Sequence, residues 1–164
     1  MLFRVSEKIL SLSDNFTITD GQGTPKYIVI GQTFSLADKL SFQNPQGEEL
    51  AFIQQKFLSL KSKYQIFVKG ELFAEVVEAL SWFKENYRLD VPGPNDYEIA
   101  GSFWGHEYIF TRSGRHVASV QKKLWAWRDS YGVEIADGED EDEVAILCTC
   151  IAIDQIHKFA QQIQ

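Results

Sequence analysis

Apolar and polar residues alternate along most of the chain, in short runs that are separated by turn-forming residues. Residues 50–54 and 117–121 are two such runs, and segments rich in Gly, Asp, Asn or Ser lie at 20–23, 44–47 and 113–114. Every second side chain of a strand faces the same side, so this alternation is typical of half-buried strands joined into hairpins. The pattern predicts a mainly β chain.

The alternating runs recur as six units of about 21–24 residues. Each unit has two runs joined by a short polar link, and one hydrophobic residue opens the second run. These marker residues are Phe16, Leu40, Tyr64, Tyr87, Tyr108 and Tyr131. Six hairpins predict about twelve antiparallel strands between about residues 2 and 136. So many strands in one small domain must curl, split or close, because exposed strand edges promote aggregation.

The end of the chain departs from this pattern. An acidic run at 137–143 precedes an apolar segment from Val144, which is too long for a simple strand and contains no turn signal. Acidic residues at its start, with His157 and Lys158 near its end, suit the dipole of a helix. The segment therefore predicts a helix over about 143–163, with a length of about 30 Å.

A helix that is apolar on every face must be buried on every face. A barrel of about twelve strands is also too wide to be filled by its own side chains. We therefore predict one domain over residues 1–164, a closed antiparallel barrel of six hairpins wrapped around the C-terminal helix. The acidic run becomes the loop that leads into the helix. The predicted core residues of the helix are Ile146, Leu147, Cys150 and Ile151.

Composition and charge limit the cellular compartment and the classes of partner that we expect. The net charge of −7 disfavours nucleic acid, whose phosphates need a clustered positive surface. The two cysteines, Cys148 and Cys150, are too close in sequence to form an ordinary disulfide, which fits a reducing compartment. The N-terminus lacks the apolar stretch of a signal peptide, and no apolar run approaches the roughly 20 residues of a membrane span. We expect a cytoplasmic protein without a transmembrane helix.

Five short motifs, taken in order, carry a resemblance to a known family. They are DKLSFQ at 38–43, FIQQK at 52–56, DVPGP at 90–94, GSFWGHEY at 101–108 and YGVEIA at 131–136. The chain resembles the LURP-one-related family, in its bacterial YxjI-like branch. The resemblance implies the barrel of the tubby C-terminal domain and of phospholipid scramblases, with a hydrophobic helix at its centre. It also implies a connection with membrane-associated or lipid-linked proteins, and it implies no particular reaction.

Basic residues in two matching repeats are the candidate ligand site. They could bind anionic phospholipid or phosphoinositide head groups through charge-assisted contacts, as the tubby resemblance implies. The alternative is that they are solvated residues on outer strand faces and loop tips, where lysine also discourages edge pairing. The residues concerned are Lys56, Lys61, Lys63, Lys122, Lys123 and Arg128.

Other chemistry has weaker support. The acidic run at 137–143 could bind Ca²⁺, but it lacks the spacing of an EF-hand, and a solvated loop that caps the helix is the alternative. His106 and Glu107 are adjacent on a predicted strand, so they point to opposite faces and cannot act together. Cys148 and Cys150 are read as small buried hydrophobic residues. No nucleotide-binding, hydrolase or zinc motif is present, so we predict no catalytic residue, no metal and no cofactor.

The sequence thus favours a non-enzymatic binding or scaffold domain. Its partner is either an anionic lipid head group at a membrane surface or another protein. A scramblase-like lipid-handling protein is the first alternative, and a small enzyme without a recognisable catalytic motif is the second.

Overall fold

Twelve antiparallel strands close into a barrel around a single helix in the part of the chain that the structure describes. The structure is a computed structural model that describes residues 1–7, 15–31, 39–56, 63–79, 86–91, 96–122, 130–137 and 143–163. The strands are β1 (Leu2–Glu7), β2 (Asn15–Asp20), β3 (Pro25–Gly31), β4 (Lys39–Gln43), β5 (Glu49–Gln55), β6 (Lys63–Val68), β7 (Glu71–Ala79), β8 (Asn86–Asp90), β9 (Tyr97–Ser102), β10 (Glu107–Arg112), β11 (Arg115–Gln121) and β12 (Ser130–Ile135). The helix is α1 (Glu143–Ile163).

The strand order follows the chain. Each strand pairs with its sequence neighbours, and the barrel closes where β1 pairs with β12, so that Phe3 lies opposite Val133. Closure leaves none of the twelve described strands at an open edge, which is the physical advantage that a barrel has over an open sheet. The prediction of a closed antiparallel barrel with a C-terminal helix is confirmed.

The six marker residues of the sequence repeat occupy equivalent places in the barrel. Each one is the second residue of an even-numbered strand, from Phe16 in β2 to Tyr131 in β12, and each one is buried. Their side chains are buried at one end of the barrel, where the ring of Phe16 lies beside Lys158 of the helix and Tyr131 contacts Asp154. Each unit of the sequence repeat therefore corresponds to a pair of strands. It contributes one large inward-facing side chain at this end of the barrel.

A bulge recurs in four of the hairpins. One extra residue interrupts the ladder of β3, β5, β7 and β11, and these residues are Lys26, Leu50, Phe73 and Val117. They are 24, 23 and 44 residues apart, which reproduces the spacing of the sequence repeat. A bulge bends a strand and increases its twist, so these four positions help the sheet to curve into a closed barrel.

The two ends of the barrel differ. The turn end carries the tight turns that join β2 to β3, β4 to β5, β6 to β7 and β10 to β11. The opposite end, here called the pocket end, carries the 103–106 turn between β9 and β10. The other connections of the pocket end, at 8–14, 32–38, 57–62, 80–85 and 123–129, lie wholly outside the described residues, and so do most of the predicted polar links.

The helix runs through the barrel from the turn end to the pocket end. Near the turn end the hydroxyl of Tyr27 donates a hydrogen bond to Glu143, and near the pocket end Lys158 pairs with Glu7. Between these contacts the helix is enclosed on all sides, because every side chain from Ala145 to Ile153 is buried. Full burial of one large aliphatic side chain contributes about 1.5–3 kcal/mol, so the helix is a large part of the core.

All four helix residues predicted as core have fully buried side chains, namely Ile146, Leu147, Cys150 and Ile151. Burial raises the pKa of the Cys148 thiol and of the Cys150 thiol well above the usual range, which keeps both cysteines protonated at neutral pH. The polar Thr149 is accommodated because its hydroxyl donates a hydrogen bond to the carbonyl oxygen of Ala145 at 2.7 Å.

Candidate functional site

Asp154 is the centre of a polar cluster at the pocket end. It is the first charged residue after Glu143 on the helix, and its side chain is 11% exposed. The hydroxyl of Tyr131 donates a hydrogen bond to Oδ2 at 2.7 Å, and Nε2 of His106 lies 3.0 Å from Oδ1. Both carboxylate oxygens are therefore paired, as a nearly buried carboxylate requires.

The turn between β9 and β10 brings His106 to this carboxylate. The amide of His106 donates to the carbonyl oxygen of Phe103, and His106 itself has a positive φ of 51°. Gly101 permits the close approach of the two strands, because a Cβ there would lie 2.3 Å from the carbonyl oxygen of Glu107. The imidazole of His106 stacks on the ring of Tyr131, with 4.6 Å between the centroids.

A second histidine, His157, lies on α1 about one turn after Asp154. The ring of His157 stacks almost parallel on Trp104, with 4.7 Å between centroids, and its Nε2 lies 3.2 Å from the hydroxyl of Tyr87. His157 is buried, whereas Trp104 is 50% exposed. Trp104 is thus held by a buried partner on one side while much of its surface remains accessible at the pocket end.

A cavity of about 190 Å³ lies beside these two histidines. One wall includes the ion pair between Lys158 and Glu7, and the ammonium of Lys158 also lies 5.7 Å from the centre of the Phe16 ring. The cavity combines aromatic faces with charged groups. Its lining residues are Glu7, Phe16, Phe103, Trp104, His106, Tyr131, Asp154, His157, Lys158 and Gln161.

Burial and the neighbouring carboxylate raise the pKa of the Tyr131 hydroxyl, so that it remains a hydrogen-bond donor. The pKa of Tyr108 is raised as well, chiefly by burial. The paired His106 and Asp154 have the arrangement that orients a catalytic base, yet none of the cavity's lining residues is Ser, Thr or Cys. The described lining therefore offers no serine, threonine or cysteine nucleophile, and the hydroxyl that it does contain is the phenol of Tyr131, which is bonded to Asp154.

The predicted basic residues are only partly described. Lys56 directly follows β5 and Lys122 directly follows β11, and both are exposed at the pocket end. Strand β11 lies six positions from β5 around the ring, so these two lysines are on opposite walls of the barrel. Lys63 lies beside Lys56 but forms an ion pair with Glu75 at 2.6 Å. The remaining three, Lys61, Lys123 and Arg128, lie outside the described residues.

The predicted acidic loop is likewise seen only at its ends. Asp137 and Glu143 are described, and the residues between 138 and 142 lie outside the described part of the chain. Glu143 accepts the hydrogen bond from Tyr27, which places one carboxylate of the run at the first turn of the helix. The calcium hypothesis for this run falls mainly on residues that the structure does not describe.

Sequence reasoning missed the polar cluster. In the sequence the nearest charged neighbour of His106 is Glu107, whereas the structure pairs His106 with Asp154, which is 48 residues away. A signal was present, because Asp154 interrupts a helix that must be buried and therefore needs a partner inside the barrel. The inward position of Tyr131 was also predictable from the repeat, although the contact between Tyr131 and Asp154 was not.

The described chain defines a class of protein, a closed antiparallel barrel threaded by its own C-terminal helix, with a polar pocket where the helix emerges. Comparisons with known proteins agree. The family model described as LURP-one-related matches residues 1–154. The uncharacterized protein YxjI of Bacillus subtilis is 34% identical over 149 residues, which are 91% of this chain and 88% of that protein. This chain belongs to the LURP-one-related family.

A solved structure shows the same fold. An Arabidopsis thaliana protein determined by X-ray crystallography aligns with a TM-score of 0.64 and covers 93% of this chain and 91% of its own. The two sequences are 16% identical, so the likeness concerns the fold alone. Among the described residues, the structure contains no helix with the length and hydropathy needed to cross a membrane.

Proposed function

We propose that this protein is a non-enzymatic binding domain that attaches peripherally to membrane surfaces on the cytoplasmic side, through anionic phospholipid head groups at its pocket end. One observation carries the proposal. Exposed Trp104, Lys56 and Lys122 all lie at this same end of the barrel. An aromatic ring and two cations therefore project from one end, where the barrel could approach a flat surface.

These residue types suit a membrane interface. The amphipathic ring of tryptophan prefers the level of the head groups, and each lysine near an anionic surface contributes about 1 kcal/mol. The whole chain carries a net charge of −7, so attraction depends on the local arrangement of charges rather than on the total. Lys63 contributes less in this proposal, because Glu75 already neutralises it.

The described lining of the cavity favours a binding role over an enzyme that uses a serine, threonine or cysteine nucleophile. The paired His106 and Asp154 face no Ser, Thr or Cys among the described lining residues. The two cysteines are buried in the helix and kept protonated by a raised pKa. A thiolate nucleophile is therefore not available from either cysteine at neutral pH.

The test is flotation with phosphatidylcholine vesicles that contain varied amounts of phosphatidylserine, at low and at high salt. Binding should increase with the anionic lipid and decrease with salt, because the attraction is electrostatic. The double variant Lys56→Glu with Lys122→Glu should reduce partitioning at least about tenfold, given the contribution of each lysine. Trp104→Ala should reduce binding to the same vesicles at every salt concentration.

The matched control is Lys26→Glu with Lys69→Glu, which reverses the same number of charges at the turn end. Both lysines are exposed there, so this variant should bind vesicles nearly as well as the unmodified protein. If the two double variants lost vesicle binding equally, the attraction would depend on the total charge of the protein and not on the pocket end. No flotation at low salt would reject the lipid proposal and leave a protein partner.

A further inference from the structure

An apolar row crosses the outer face of the barrel wall from β3 to β7. Each member is the cross-strand partner of the next, so their side chains lie side by side. At its centre the rings of Phe52 and Phe67 stack, with 4.5 Å between their centroids, and Ile30 and Leu72 at its two ends are exposed. We call this set the outer apolar row, and it consists of Ile30, Ser41, Phe52, Phe67 and Leu72.

The row faces away from the core. Phe52 lies between the buried residues Ala51 and Ile53 of the same strand, so the alternation of side chains turns its ring outward. The next outward positions on β5 and β6 are polar, namely Gln54 and Gln65. A contiguous apolar surface bordered by polar residues is typical of an interaction site, and aromatic rings are enriched in protein interfaces.

Charges of opposite sign flank the row on its two sides. Among the outward-facing residues that the structure describes from β4 to β7, lysines outnumber carboxylates toward the pocket end, and carboxylates outnumber lysines toward the turn end. In the neighbouring β8, Arg88 lies 4.0 Å from Asp90, and this pair balances itself. The residues are Lys39, Lys56, Lys63 and Glu75 on the positive side and Glu48, Glu49, Lys69 and Glu71 on the negative side.

This division of charge is self-complementary. A two-fold axis that lies along the row, in the plane of contact, turns the positive side of one copy toward the negative side of a second copy. A two-fold axis across the row would instead set like charges opposite each other, which is unfavourable. The axis along the row also sets Phe52 opposite Phe52 and Phe67 opposite Phe67, as an isologous contact requires.

We propose that two copies of this chain associate through their outer apolar rows, about a two-fold axis that runs along the row. The apolar side chains of the two rows pack together, and the lysines of each copy face the carboxylates of the other. Lys39 of one copy faces the region of Glu49 in the other, because these residues flank the Ser41–Phe52 pair on opposite sides. The contact lies on the wall of the barrel and does not rest on the proposed attachment to membranes.

The size of the contact predicts a weak and reversible dimer. Neighbouring strands are about 4.8 Å apart, so the row is about 19 Å long, which is short for an interface that buries the standard area of about 800 Å² per partner. Sedimentation equilibrium of the folded protein, at concentrations from about 1 to about 500 µM, measures the mean mass. The mass should increase from that of one chain toward that of two. A constant mass of one chain, or growth beyond two chains, would overturn the proposal.

Two matched substitutions locate the contact. Leu72 in the row and Ile109 on the outer face of β10 are 45% and 43% exposed, so their replacement by glutamine removes similar apolar surfaces. Leu72→Gln acts twice in a two-fold contact, and it should raise the dissociation constant of the dimer at least about tenfold. Ile109→Gln should leave the dissociation constant unchanged. Equal dissociation constants for the two variants would contradict the assignment.

Charge reversal tests the direction of the two-fold axis. Lys39→Glu sets a carboxylate near Glu49 of the second copy, and Glu49→Lys sets an ammonium near Lys39, so each variant alone should associate more weakly than the unmodified protein. An equimolar mixture of the two variants again has opposite charges at both places and should recover the dimer. Circular dichroism checks that both variants are folded. A mixture that associates no better than either variant alone would show that the proposed two-fold arrangement is wrong.

Discussion

The hydroxyl of Tyr131 and the carboxylate of Asp154 form a 2.7 Å hydrogen bond that links the barrel wall to the central helix. Tyr131 is the last marker residue of the sequence repeat, and Asp154 is the charged residue that interrupts the buried face of the helix. The contact therefore joins the two parts of the fold at the level where the candidate site is built.

Tyr131→Phe should destabilise the protein by about 1.5–3 kcal/mol, since it removes a hydrogen bond to a nearly buried carboxylate. Tyr108→Phe is the matched control, because its buried hydroxyl has no strong acceptor among the described residues and lies beside the Cys150 thiol. Urea unfolding of the two variants measures both free energies. Equal losses would show that the bond to Asp154 has no special contribution.

Ile146→Asp or Ile151→Asp should prevent folding. Both side chains are fully buried in the helix, and an unpaired buried charge costs several kcal/mol out of the roughly 5–15 kcal/mol available to a domain. The control is Ile109→Asp on the outer face of β10, where the side chain is 43% exposed. It should fold with little change. Circular dichroism and thermal unfolding test this prediction. A native-like unfolding temperature for either buried variant would contradict the enclosed position of the helix.

Gly101→Ala should disrupt the β9–β10 hairpin that positions His106. Gly101 has a φ of 148°, and the added Cβ would lie 2.3 Å from a backbone oxygen and 2.6 Å from the Cα of Tyr108. Strain of this kind costs about 1–3 kcal/mol for the backbone alone, before the clash is relieved. Gly47→Ala is the control, since Gly47 has a φ of 84° but open space around it. Chemical denaturation should show a larger loss for Gly101→Ala; equal losses would mean that the close approach is unimportant.

Alkaline pH should destabilise the protein through the buried thiols. Burial raises the pKa of Cys148 and Cys150 well above that of an exposed thiol, so the folded state retains protons that the unfolded state releases. The stabilisation is complete below the unfolded pKa and is lost as the pH rises above it, by about 1.4 kcal/mol per pH unit for each thiol.

The measurement is the free energy of unfolding in urea at a series of pH values above neutral. A Cys148→Ala, Cys150→Ala double variant has a lower stability at pH 7 because of the lost packing, but its stability should decline less steeply above pH 9. The same slope in both proteins would mean that the thiols do not control the alkaline loss. Buried tyrosines such as Tyr131 add their own loss nearer pH 10.

The architecture could be predicted because it depends on periodicities that are local in the sequence. Alternation selects strands, and the marker residues from Phe16 to Tyr131 recur at a spacing that fits one hairpin. An apolar segment without a polar face, from Ala145 to Ile153, must be enclosed wherever it lies. These features require no knowledge of which residues meet across the fold.

The candidate site could not be predicted in the same way. Asp154 meets Tyr131 and His106, from which it is separated by 23 and 48 residues, and Lys158 meets Glu7 across 151 residues. These pairings depend on the stagger of the strands and on the rotation of the helix inside the barrel. The predicted lysines show that likeness in sequence does not imply proximity. Lys56 and Lys122 belong to matching repeats, but closure of the barrel places them on opposite walls.

The strands, the repeat and the enclosed helix follow from the order of the amino acids alone, because hydrophobic burial acts on patterns that any compact conformation of the chain must satisfy. Which polar groups share the pocket depends on the folded arrangement, because a hydrogen bond is sensitive to differences of a few tenths of an ångström between residues far apart in the chain.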